Sequence, residues 1–460
     1  RTVIPPLATA VQSFDSIVTS INGPISSFAW GWPTVGLISV TGVLLMVGLR
    51  FMPILRLPYG VRMMLAPSDQ KAEGDISSFQ ALMTSLAATV GTGNIAGVAG
   101  AIAIGGPGAV FWMWLIAFFG IATKYAEAVL AVHYREVDEL GHHVGGPMYY
   151  ISNGLGPRWV WLGGVFALFG MLAGFGIGNG VQCFEVSSAL LGLGIPREVT
   201  ALVLGALVFA VIIGGVRRIS KAASAIVPFM AIAYVLACLI ILLANIGNVG
   251  DAFASIFSNA FTGQAATTGT LTQVILMGFK RGIFSNEAGL GSAPIAHAAA
   301  RTDDPVRQGT VAMLGTFIDT MIICTLTALV ILVSGIAAGG LSGSELSIAA
   351  FNEALNGSGW IVTFGLLVFA FTTVLGWSFY GERCTEYLFG VKAILPFRGV
   401  WVAVVVIGSL VGDRGVVWGV ADTLNGLMAI PNLIALLLLS GTVFELTRRY
   451  HFPDTAESTD

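Results

Sequence analysis

Long apolar stretches recur along the whole chain, and shorter, more polar segments separate them. An α-helix needs about 20 mainly apolar residues to cross the hydrocarbon core of a bilayer, and most of the stretches reach that length. The pattern predicts an all-α polytopic membrane protein with eleven transmembrane helices, numbered here as the first to the eleventh span. These lie at residues 34–52, 76–104, 108–132, 159–191, 198–215, 223–247, 269–299, 307–336, 359–388, 399–412 and 415–446. Asp413 and Arg414 either form a turn between the last two spans or lie within one long segment.

The composition excludes an ordinary soluble domain. Of the 460 residues, 55% are hydrophobic and 10% are charged, whereas about a quarter of the residues of a soluble domain are charged. The net charge of -3 and the lack of a basic block give no sign of nucleic-acid binding, and no obligate protein partner is evident. The chain has no HExxH or GxSxG motif, which argues against an enzyme. Its cysteines, Cys183, Cys238, Cys324 and Cys384, are expected to be free packing residues.

The distribution of lysine and arginine predicts how the chain crosses the membrane. Sixteen of the 22 positive residues follow odd-numbered spans or lie in the C-terminal tail, and three lie on the opposite side. Because positive residues are retained on the cytoplasmic side, we expect the N-terminus outside the cell and the C-terminus in the cytoplasm. This arrangement requires an odd number of spans, and eleven satisfies it. The expected location is the plasma (inner) membrane.

The centre of the second span carries a sequence that disfavours a continuous helix. Gly91, Thr92, Gly93 and Asn94 combine two glycines, a β-branched residue and an asparagine that competes for backbone hydrogen bonds. Backbone groups released at that depth must be satisfied by protein, water or a ligand, because lipid offers no partners. The ends of two half-helices would offer N–H groups to an anion and carbonyl groups to a cation. Close packing of two helices at the glycines is the alternative interpretation.

A second predicted helix break, in the seventh span, supports the interpretation of the first break as a binding site. Gly289 and Gly291 in the seventh span repeat the Gly-x-Gly spacing of the second span, 198 residues further along, in a span of opposite direction. Two interrupted helices of opposite sense, each opening a block of five spans, are typical of inverted-repeat transporters. The predicted regions are an extracytoplasmic segment (1–30), an extra span with a cytoplasmic loop (31–75), the first repeat (76–247), an external loop (248–268), the second repeat (269–446) and a cytoplasmic tail (447–460).

Ionisable and hydroxyl side chains within spans are candidate functional groups, because burying them in hydrocarbon is costly. Lys124 and Glu127 are three residues apart and are expected to pair or to reach the membrane surface. Lys280 and Arg281 would line an outer vestibule or neutralise Glu287. Asp319 is a candidate coupling carboxylate, with an interhelical hydrogen bond as the alternative. The hydroxyls of Thr372 and Thr373 could bind Na⁺, or could bond the preceding helical turn.

Six motifs resemble those of the alanine or glycine:cation symporter family. They are Val90–Gly97, Gly106–Trp112, Lys124–Glu127, Gly145–Tyr149, Ser285–Ser292 and Asn425–Asn432. The resemblance covers residues 30 to 446. It implies the leucine-transporter (LeuT-type) fold, with one extra N-terminal helix before two inverted five-helix repeats. It also implies uptake of small neutral amino acids coupled to Na⁺, or in some members to H⁺.

The resemblance also implies a set of binding residues. The substrate carboxylate would meet the backbone of Gly91, Thr92 and Gly93. The amino group would lie near Phe284, Ser285 and Glu287. Gln182 would contribute from the fourth span, with an interhelical hydrogen bond as the alternative. The Na⁺ ligands would be the carbonyls of Ala87, Val90 and Phe369 and the hydroxyls of Thr372 and Thr373. Asn94 occupies the position of a ligand for a possible second ion, and the sequence offers no clear partner for it.

Trp377 is expected to limit substrate size. It lies one helical turn after Thr373 and can face the same space. Together with Phe284 it would leave room for the side chain of glycine or alanine, and serine or D-alanine are further candidates. The sequence therefore predicts a Na⁺-coupled symporter of small neutral amino acids. An H⁺-coupled symporter and a passive amino acid facilitator are the alternatives.

Overall fold

The computed structural model describes residues 20–67, 71–262, 270–336, 340–341, 343–412 and 414–452. These residues are almost entirely helical. The strands found among them, Glu136–Val137 and His143–Val144, form a short antiparallel hairpin in the loop after the third span. Residues 1–19, Asp413, residues 263–268 of the predicted external loop and residues 453–460 of the tail lie outside the described part of the chain.

Eight of the described helices are long and apolar enough to cross a membrane, and one bent pair of helices adds a ninth. The eight are Ser20–Gly48, Gly108–His133, Pro157–Leu191, Gly215–Ala244, Pro305–Val333, Gly359–Phe389, Val391–Leu410 and Val417–Leu438, and the bent pair is Ser78–Thr89 with Gly93–Gly105. The fifth predicted span corresponds to the shorter helix Arg197–Ile212, and the seventh to the separate helices Leu271–Asn286 and Ala293–Ala298. The all-α transmembrane class is confirmed, and the count of eleven stays a prediction.

Shorter helices fill several connecting segments. These are Met52–Leu55, Leu57–Leu65, Pro147–Leu155, Ile246–Asn259, Gly343–Ala354 and Ser440–Arg449. The helix Ile246–Asn259 occupies much of the segment expected to be an external loop. The tenth predicted span, 399–412, begins too late, because the helix Ile394–Leu410 starts at Ile394. The eleventh, 415–446, consists of the helix Arg414–Leu438 followed by the separate helix Ser440–Arg449.

Within the part of the chain that the structure describes, three of the spans contain a π-helical segment, in which the helix widens locally. The segments are Gly93–Gly97 in the second span, Gly174–Gly180 in the fourth and Phe317–Cys324 in the eighth. Such segments disturb the regular backbone hydrogen bonding and are frequent at functional sites. The side chains of all three spans contribute to the site described below.

The third span, Gly108–His133, lies at the centre of the described structure and packs against the seventh and eighth spans. Small residues permit this packing. A Cβ atom added to Gly278 would lie 2.5 Å from the carbonyl oxygen of Ala109, and one added to Gly282 would lie 2.8 Å from Ile116. Close backbone approach at small residues is a common way for helices to associate in membranes. The packing places the interrupted seventh span directly beside this central helix.

Candidate functional site

The second span is interrupted where the sequence predicted. The helix Ser78–Thr89 ends before the glycines, and the π-helical segment Gly93–Gly97 begins the second half of the span. The two halves meet at an angle of 50°. Gly91 and Thr92 at the bend are buried. Their backbone groups therefore need hydrogen-bond partners from the protein itself.

The glycines of this break allow other spans to approach the backbone. A Cβ atom on Gly91 would lie 2.5 Å from the hydroxyl oxygen of Thr373 and 3.1 Å from Oε1 of Gln182. A Cβ atom on Gly93 would lie 3.2 Å from the ring of Phe284. The break in the second span therefore touches the fourth, seventh and ninth spans. Five predicted site residues, Gly91, Gly93, Gln182, Phe284 and Thr373, meet at this point.

The seventh span is interrupted over a longer stretch. The helix Leu271–Asn286 ends at Glu287, which has a φ of 57° in the left-handed region, and Gly289 and Gly291 follow with φ values of 89° and 80°. The helix Ala293–Ala298 resumes the span. Left-handed backbone costs little for glycine and more for any other residue. The alternating left-handed positions 287, 289 and 291 therefore end the helix and leave backbone N–H groups of this segment without helical partners.

Glu127 of the third span bonds to this exposed backbone. Its Oε1 accepts hydrogen bonds from the N–H groups of Gly289 at 3.1 Å and Gly291 at 3.0 Å, and from Nδ2 of Asn432 at 2.7 Å. The expected pairing with Lys124 is not found among the described residues, where the Lys124 ammonium has no hydrogen-bond partner. Sequence spacing on one helix face could not reveal that the carboxylate bonds to another span.

Asp319 of the eighth span joins the two breaks. Its Oδ1 accepts a hydrogen bond from Nδ2 of Asn94 at 2.7 Å, and its Oδ2 accepts one from the hydroxyl of Ser285 at 2.8 Å. Asn94 also accepts a hydrogen bond from the N–H of Gly91 at 2.9 Å. The sequence offered no clear partner for Asn94, and the structure supplies Asp319. All of these side chains are fully buried.

Gln182 of the fourth span reaches the first break as well. Its Oε1 accepts a hydrogen bond from the N–H of Thr92 at 3.2 Å, and its Nε2 donates to the carbonyl of Ile177 at 2.9 Å. Ile177 belongs to the π-helical segment Gly174–Gly180. The amide side chain therefore bridges an irregular segment of one span and the break of another.

The hydroxyls of Thr372 and Thr373 lie beside backbone carbonyls of their own ninth span, and that of Thr373 also lies near a carbonyl of the second span. Oγ1 of Thr373 is 2.9 Å from the carbonyl oxygen of Phe369 and 3.4 Å from that of Val90. Oγ1 of Thr372 is 2.9 Å from the same Phe369 oxygen. Both hydroxyls donate to their own helix, which leaves their lone pairs available to a cation. Four of the five predicted cation ligands meet here, and Ala87 lies one turn before Val90.

Trp377 contacts the seventh-span break through a hydrogen bond. Its Nε1 donates to Oε1 of Glu287 at 2.8 Å, and Ser292 donates to Oε2 of the same carboxylate at 2.5 Å. On its other side, a Cβ atom added to Gly178 would lie 2.2 Å from Cβ of Trp377. The indole is therefore held between the fourth span and the seventh. Both oxygens of Glu287 accept bonds from protein groups.

An aromatic and charged cluster lies beyond Phe284. The Phe284 ring stacks on Trp418 with centroids 5.0 Å apart, and the Arg281 guanidinium lies 4.8 Å from the Trp418 ring centre. Asp422 pairs with Lys280 at 2.6 Å and with Arg281 at 3.6 Å. The two cations therefore neutralise Asp422, and the expected pairing with the carboxylate at the break is not formed. Lys280 also lines a cavity of about 560 Å³, and the outer vestibule stays a prediction.

A second ionic cluster lies at the C-terminal end of the ninth span. Arg383 pairs with Glu386 at 2.6 Å, with Glu382 at 2.9 Å and with Asp138 at 3.3 Å. Burial raises the pKa of Asp138, but the hydrogen bond from the backbone N–H of His142 and further bonds outweigh it, so that pKa lies below its usual range. The cluster ties the loop after the third span to the ninth.

Comparisons with known proteins identify the family. Residues 15–459 match the sequence profile of the sodium:alanine symporter family. The chain belongs to this family. It is 51% identical over 448 residues to a protein named sodium/alanine symporter AgcS of Methanococcus maripaludis, with 96% of this chain and 98% of that protein covered. It is 38% identical over 439 residues to a protein named probable sodium/glutamine symporter GlnT of Bacillus subtilis, covering 94% and 91%.

A solved structure confirms the fold of this member of the sodium:alanine symporter family. The crystal structure of MhsT in complex with L-phenylalanine superimposes with a TM-score of 0.57 and covers 82% of this chain and 99% of that one. The sequence identity is 13%, so the likeness concerns the fold alone. The LeuT-type fold predicted from the sequence is confirmed. As a member of the family, the chain is a membrane transporter and not an enzyme.

Several residues at the site were not predicted from the sequence to be binding residues. Asp319 was named only as a candidate, and Trp418, Asp422 and Asn432 were not named as site residues. Their common signal is a polar or indole group inside an apolar span. That signal marks a residue as constrained, but it does not say which span the side chain contacts.

Proposed function

We propose that this transporter couples Na⁺ to the uptake of small neutral amino acids, with glycine and alanine as its main substrates. The observation that carries the proposal is the meeting of two interrupted spans. Gly93 of the second span lies against Phe284 of the seventh, and Asp319 bonds to side chains from both. Discontinuous helices that meet in this way bind substrates and ions in inverted-repeat transporters.

The substrate carboxylate binds at the break of the second span. At this break, the N–H of Gly91 donates to Oδ1 of Asn94 at 2.9 Å. The N–H of Thr92 donates to Oε1 of Gln182 at 3.2 Å. An arriving carboxylate replaces the Gln182 oxygen, and rotation of the amide then presents its NH₂ group as a further donor. The positive end of the second half-helix favours the anion.

The amino group binds at the break of the seventh span. Phe284 and Ser285 end the first half of that span, and Glu287 supplies a carboxylate in the irregular segment. The Trp377 indole, bonded to Glu287, closes the space for the side chain. Each additional methylene on the substrate then costs about 1–3 kcal/mol in binding. This size limit favours glycine, alanine and serine, in either enantiomer, over larger substrates.

Na⁺ binds between the second and ninth spans as the driving ion. The carbonyls of Val90 and Phe369 and the hydroxyls of Thr372 and Thr373 are neutral oxygen donors, which suit a hard monovalent cation. The carbonyl of Ala87 completes the set. Bound Na⁺ fixes the first half of the second span against the ninth span and so orders the break to which the substrate carboxylate binds.

Asp319 carries the alternative mode of coupling. It is a buried carboxylate that accepts hydrogen bonds from both interrupted spans. A proton on Asp319 would change its bonds to Asn94 and Ser285, so that a proton gradient could drive the same movement. Without a bound proton, its negative charge and the Asn94 side chain offer a position for a second cation.

Transport proceeds by alternating access. With the N-terminus outside and the C-terminus in the cytoplasm, Na⁺ and substrate enter past Phe284 and Trp418 and leave past the ionic cluster of Arg383 and Asp138. Each positive elementary charge that moves into a cell with a negative interior releases about 2.3 kcal/mol of free energy per 100 mV of membrane potential. Coupling requires Na⁺ and amino acid to raise each other's affinity by the same factor.

Counterflow and uptake of labelled alanine in proteoliposomes test the proposal. We expect accumulation above the external concentration under an inward Na⁺ gradient, and none under a pH gradient alone. Accumulation driven by the pH gradient would identify an H⁺ symporter, and equilibration without accumulation would identify a facilitator. In detergent, alanine should bind more tightly with Na⁺ than with K⁺, and equal affinities would contradict Na⁺ coupling.

A further inference from the structure

A cavity remote from the transport site lies where the end of the first span meets the C-terminal helix Ser440–Arg449. Its volume is about 570 Å³. The two elements are tightly packed beside it, because a Cβ atom added to Gly48 would lie 2.2 Å from the ring of Phe444. We call it the arginine cavity after Arg50, Arg56 and Arg448, which line it.

The three guanidinium groups have no ion-pair or hydrogen-bond partner among the described residues. None of the described residues that line the cavity is acidic. Arg449, the neighbour of Arg448, differs because it pairs with Glu445 outside the cavity. Three like charges beside one cavity repel each other and create a positive potential that a bound anion would relieve.

Part of the cavity wall is fixed by aromatic packing. Phe452 lies edge-on to Tyr59 and Tyr450, with centroid distances of 5.4 and 4.8 Å, and the two tyrosine hydroxyls are hydrogen-bonded. The guanidinium of Arg56 lies 4.9 Å from the centre of the Phe452 ring. The aromatic cluster therefore orients at least one of the three arginines. The cavity is a formed part of the fold.

Apolar side chains lead away from the cavity. Leu55 on its rim is 71% exposed, and Val40, Val43 and Val47 of the first span are also exposed. In a transmembrane helix such side chains face lipid tails. A ligand that matches both features carries an anionic head beside two or more hydrocarbon chains. Guanidinium groups bind phosphate oxygens through paired hydrogen bonds.

We propose that the arginine cavity binds the phosphate headgroup of an anionic phospholipid, whose acyl chains lie along the exposed face of the first span. Both arginine-bearing segments follow odd-numbered spans, on the side where anionic lipids attract basic residues. The site would hold the C-terminal helix against the first span. It does not depend on which amino acid or ion is transported.

Lipid binding to the purified full chain tests the proposal. We expect phosphatidylglycerol to remain bound during delipidation, as measured by native mass spectrometry, and phosphatidylcholine to be lost. Replacing all three arginines by glutamine should weaken phosphatidylglycerol binding on the order of 100-fold. The variant Arg449→Gln is the matched control and should bind as the unaltered chain does. The double variant Arg50→Gln with Arg448→Gln changes two exposed side chains. It should weaken binding by a smaller factor without disturbing the fold.

Three results would overturn the proposal. The first is equal retention of both lipids, or phosphatidylglycerol binding that the triple variant leaves unchanged. The second is displacement of the lipid by inorganic phosphate at equal concentration, because the site would then bind free phosphate. The third concerns the acidic residues Asp454 and Glu457. If phosphatidylglycerol binds only to a chain that ends at Phe452, the tail is the ligand of the arginines. We expect the shortened chain to bind like the full one.

Discussion

The glycines of the two breaks serve different physical purposes, although both pairs have the same spacing. Gly91 and Gly93 let side chains of other spans come within contact distance of the backbone. Gly289 and Gly291 instead adopt left-handed backbone angles of 89° and 80°. A methyl group at the first pair is excluded by neighbours, and one at the second pair is disfavoured by the local backbone.

Alanine substitutions should separate these two purposes. Gly91→Ala would place Cβ 2.5 Å from the Thr373 hydroxyl, so we expect loss of Na⁺-dependent alanine uptake with a small change in thermal stability. Gly289→Ala would strain the backbone by about 1–2 kcal/mol and should lower the melting temperature. Gly100→Ala is the control, because nothing lies within 4 Å of the added atom. Equal melting temperatures for Gly289→Ala and Gly100→Ala would contradict this assignment.

The two threonines of the proposed cation site should not be equivalent. Thr373 reaches the Val90 carbonyl across to the second span at 3.4 Å, whereas Thr372 bonds within its own helix and near Met230. We expect Thr373→Ala to weaken the apparent Na⁺ affinity about tenfold, the loss of one strong oxygen contact, and Thr372→Ala to weaken it less. The Na⁺ dependence of alanine uptake measures both. Thr373→Ser keeps the hydroxyl and should retain activity, and a larger effect at Thr372 would contradict the geometry.

Trp377 combines a steric and a polar contact that two substitutions can separate. Trp377→Ala removes the ring beside Gly178 and should let larger side chains compete with alanine uptake. Trp377→Phe keeps most of the ring but removes the N–H that bonds Glu287 at 2.8 Å. It should preserve the size limit and lower the affinity for alanine. Competition by leucine and glutamine measures the limit, and unchanged selectivity of Trp377→Ala would show that Trp377 does not line the pocket.

At the scale of elements, side chains supply hydrogen-bond partners for the free backbone groups of each interrupted span. The second span uses Gln182 and Asn94, and the seventh uses Glu127 and Asn432. A broken helix in a membrane is stable only where protein satisfies its free backbone groups. The sequence predicted the breaks because helix propensity is local. It did not predict these partners. Each lies either on a span 90 or more residues away along the chain or within the irregular segment itself.

Glu127 should therefore contribute to the stability of the seventh-span break. Glu127→Ala leaves the buried N–H groups of Gly289 and Gly291 without their acceptor, at about 1–3 kcal/mol for each group. The melting temperature of Glu127→Ala in detergent should fall. That of Glu127→Gln should fall less, because glutamine keeps an acceptor oxygen. Glu139→Ala on the exposed loop is the control. A melting temperature of Glu127→Ala equal to that of the control would show that the break is satisfied in another way.

At the scale of the whole molecule, the apolar pattern and the long motifs were sufficient to predict the fold. The interruptions, the third span's central position and the proximity of Thr373 to Val90 agree with that fold. The pairing of charges was predicted poorly. Lys280 and Arg281 bond to Asp422, which lies about 140 positions later in the sequence, and the expected Lys124 pair is absent among the described residues. Charge alone indicates that a partner is needed, and only the three-dimensional packing selects it.

The direction in which the molecule crosses the membrane rests on charge asymmetry, and it can be tested with two exposed glutamates. Glu139 lies in the loop after the third span, and Glu198 begins the helix Arg197–Ile212 on the opposite side. The four native cysteines are buried and free, so the unaltered chain should react little with a membrane-impermeant maleimide. Each of Glu139→Cys and Glu198→Cys then reports one face of the membrane.

In intact cells we expect the maleimide to label Glu198→Cys and not Glu139→Cys, because the positive residues that follow the odd-numbered spans stay in the cytoplasm. After the membrane is permeabilised, both should be labelled, which shows that the loop cysteine is reactive. The opposite labelling pattern in intact cells would show that the molecule crosses the membrane in the reverse direction. The ionic cluster of Arg383 and Asp138 would then face outward, the cluster of Arg281 and Asp422 would face the cytoplasm, and the proposed order of entry and release would reverse.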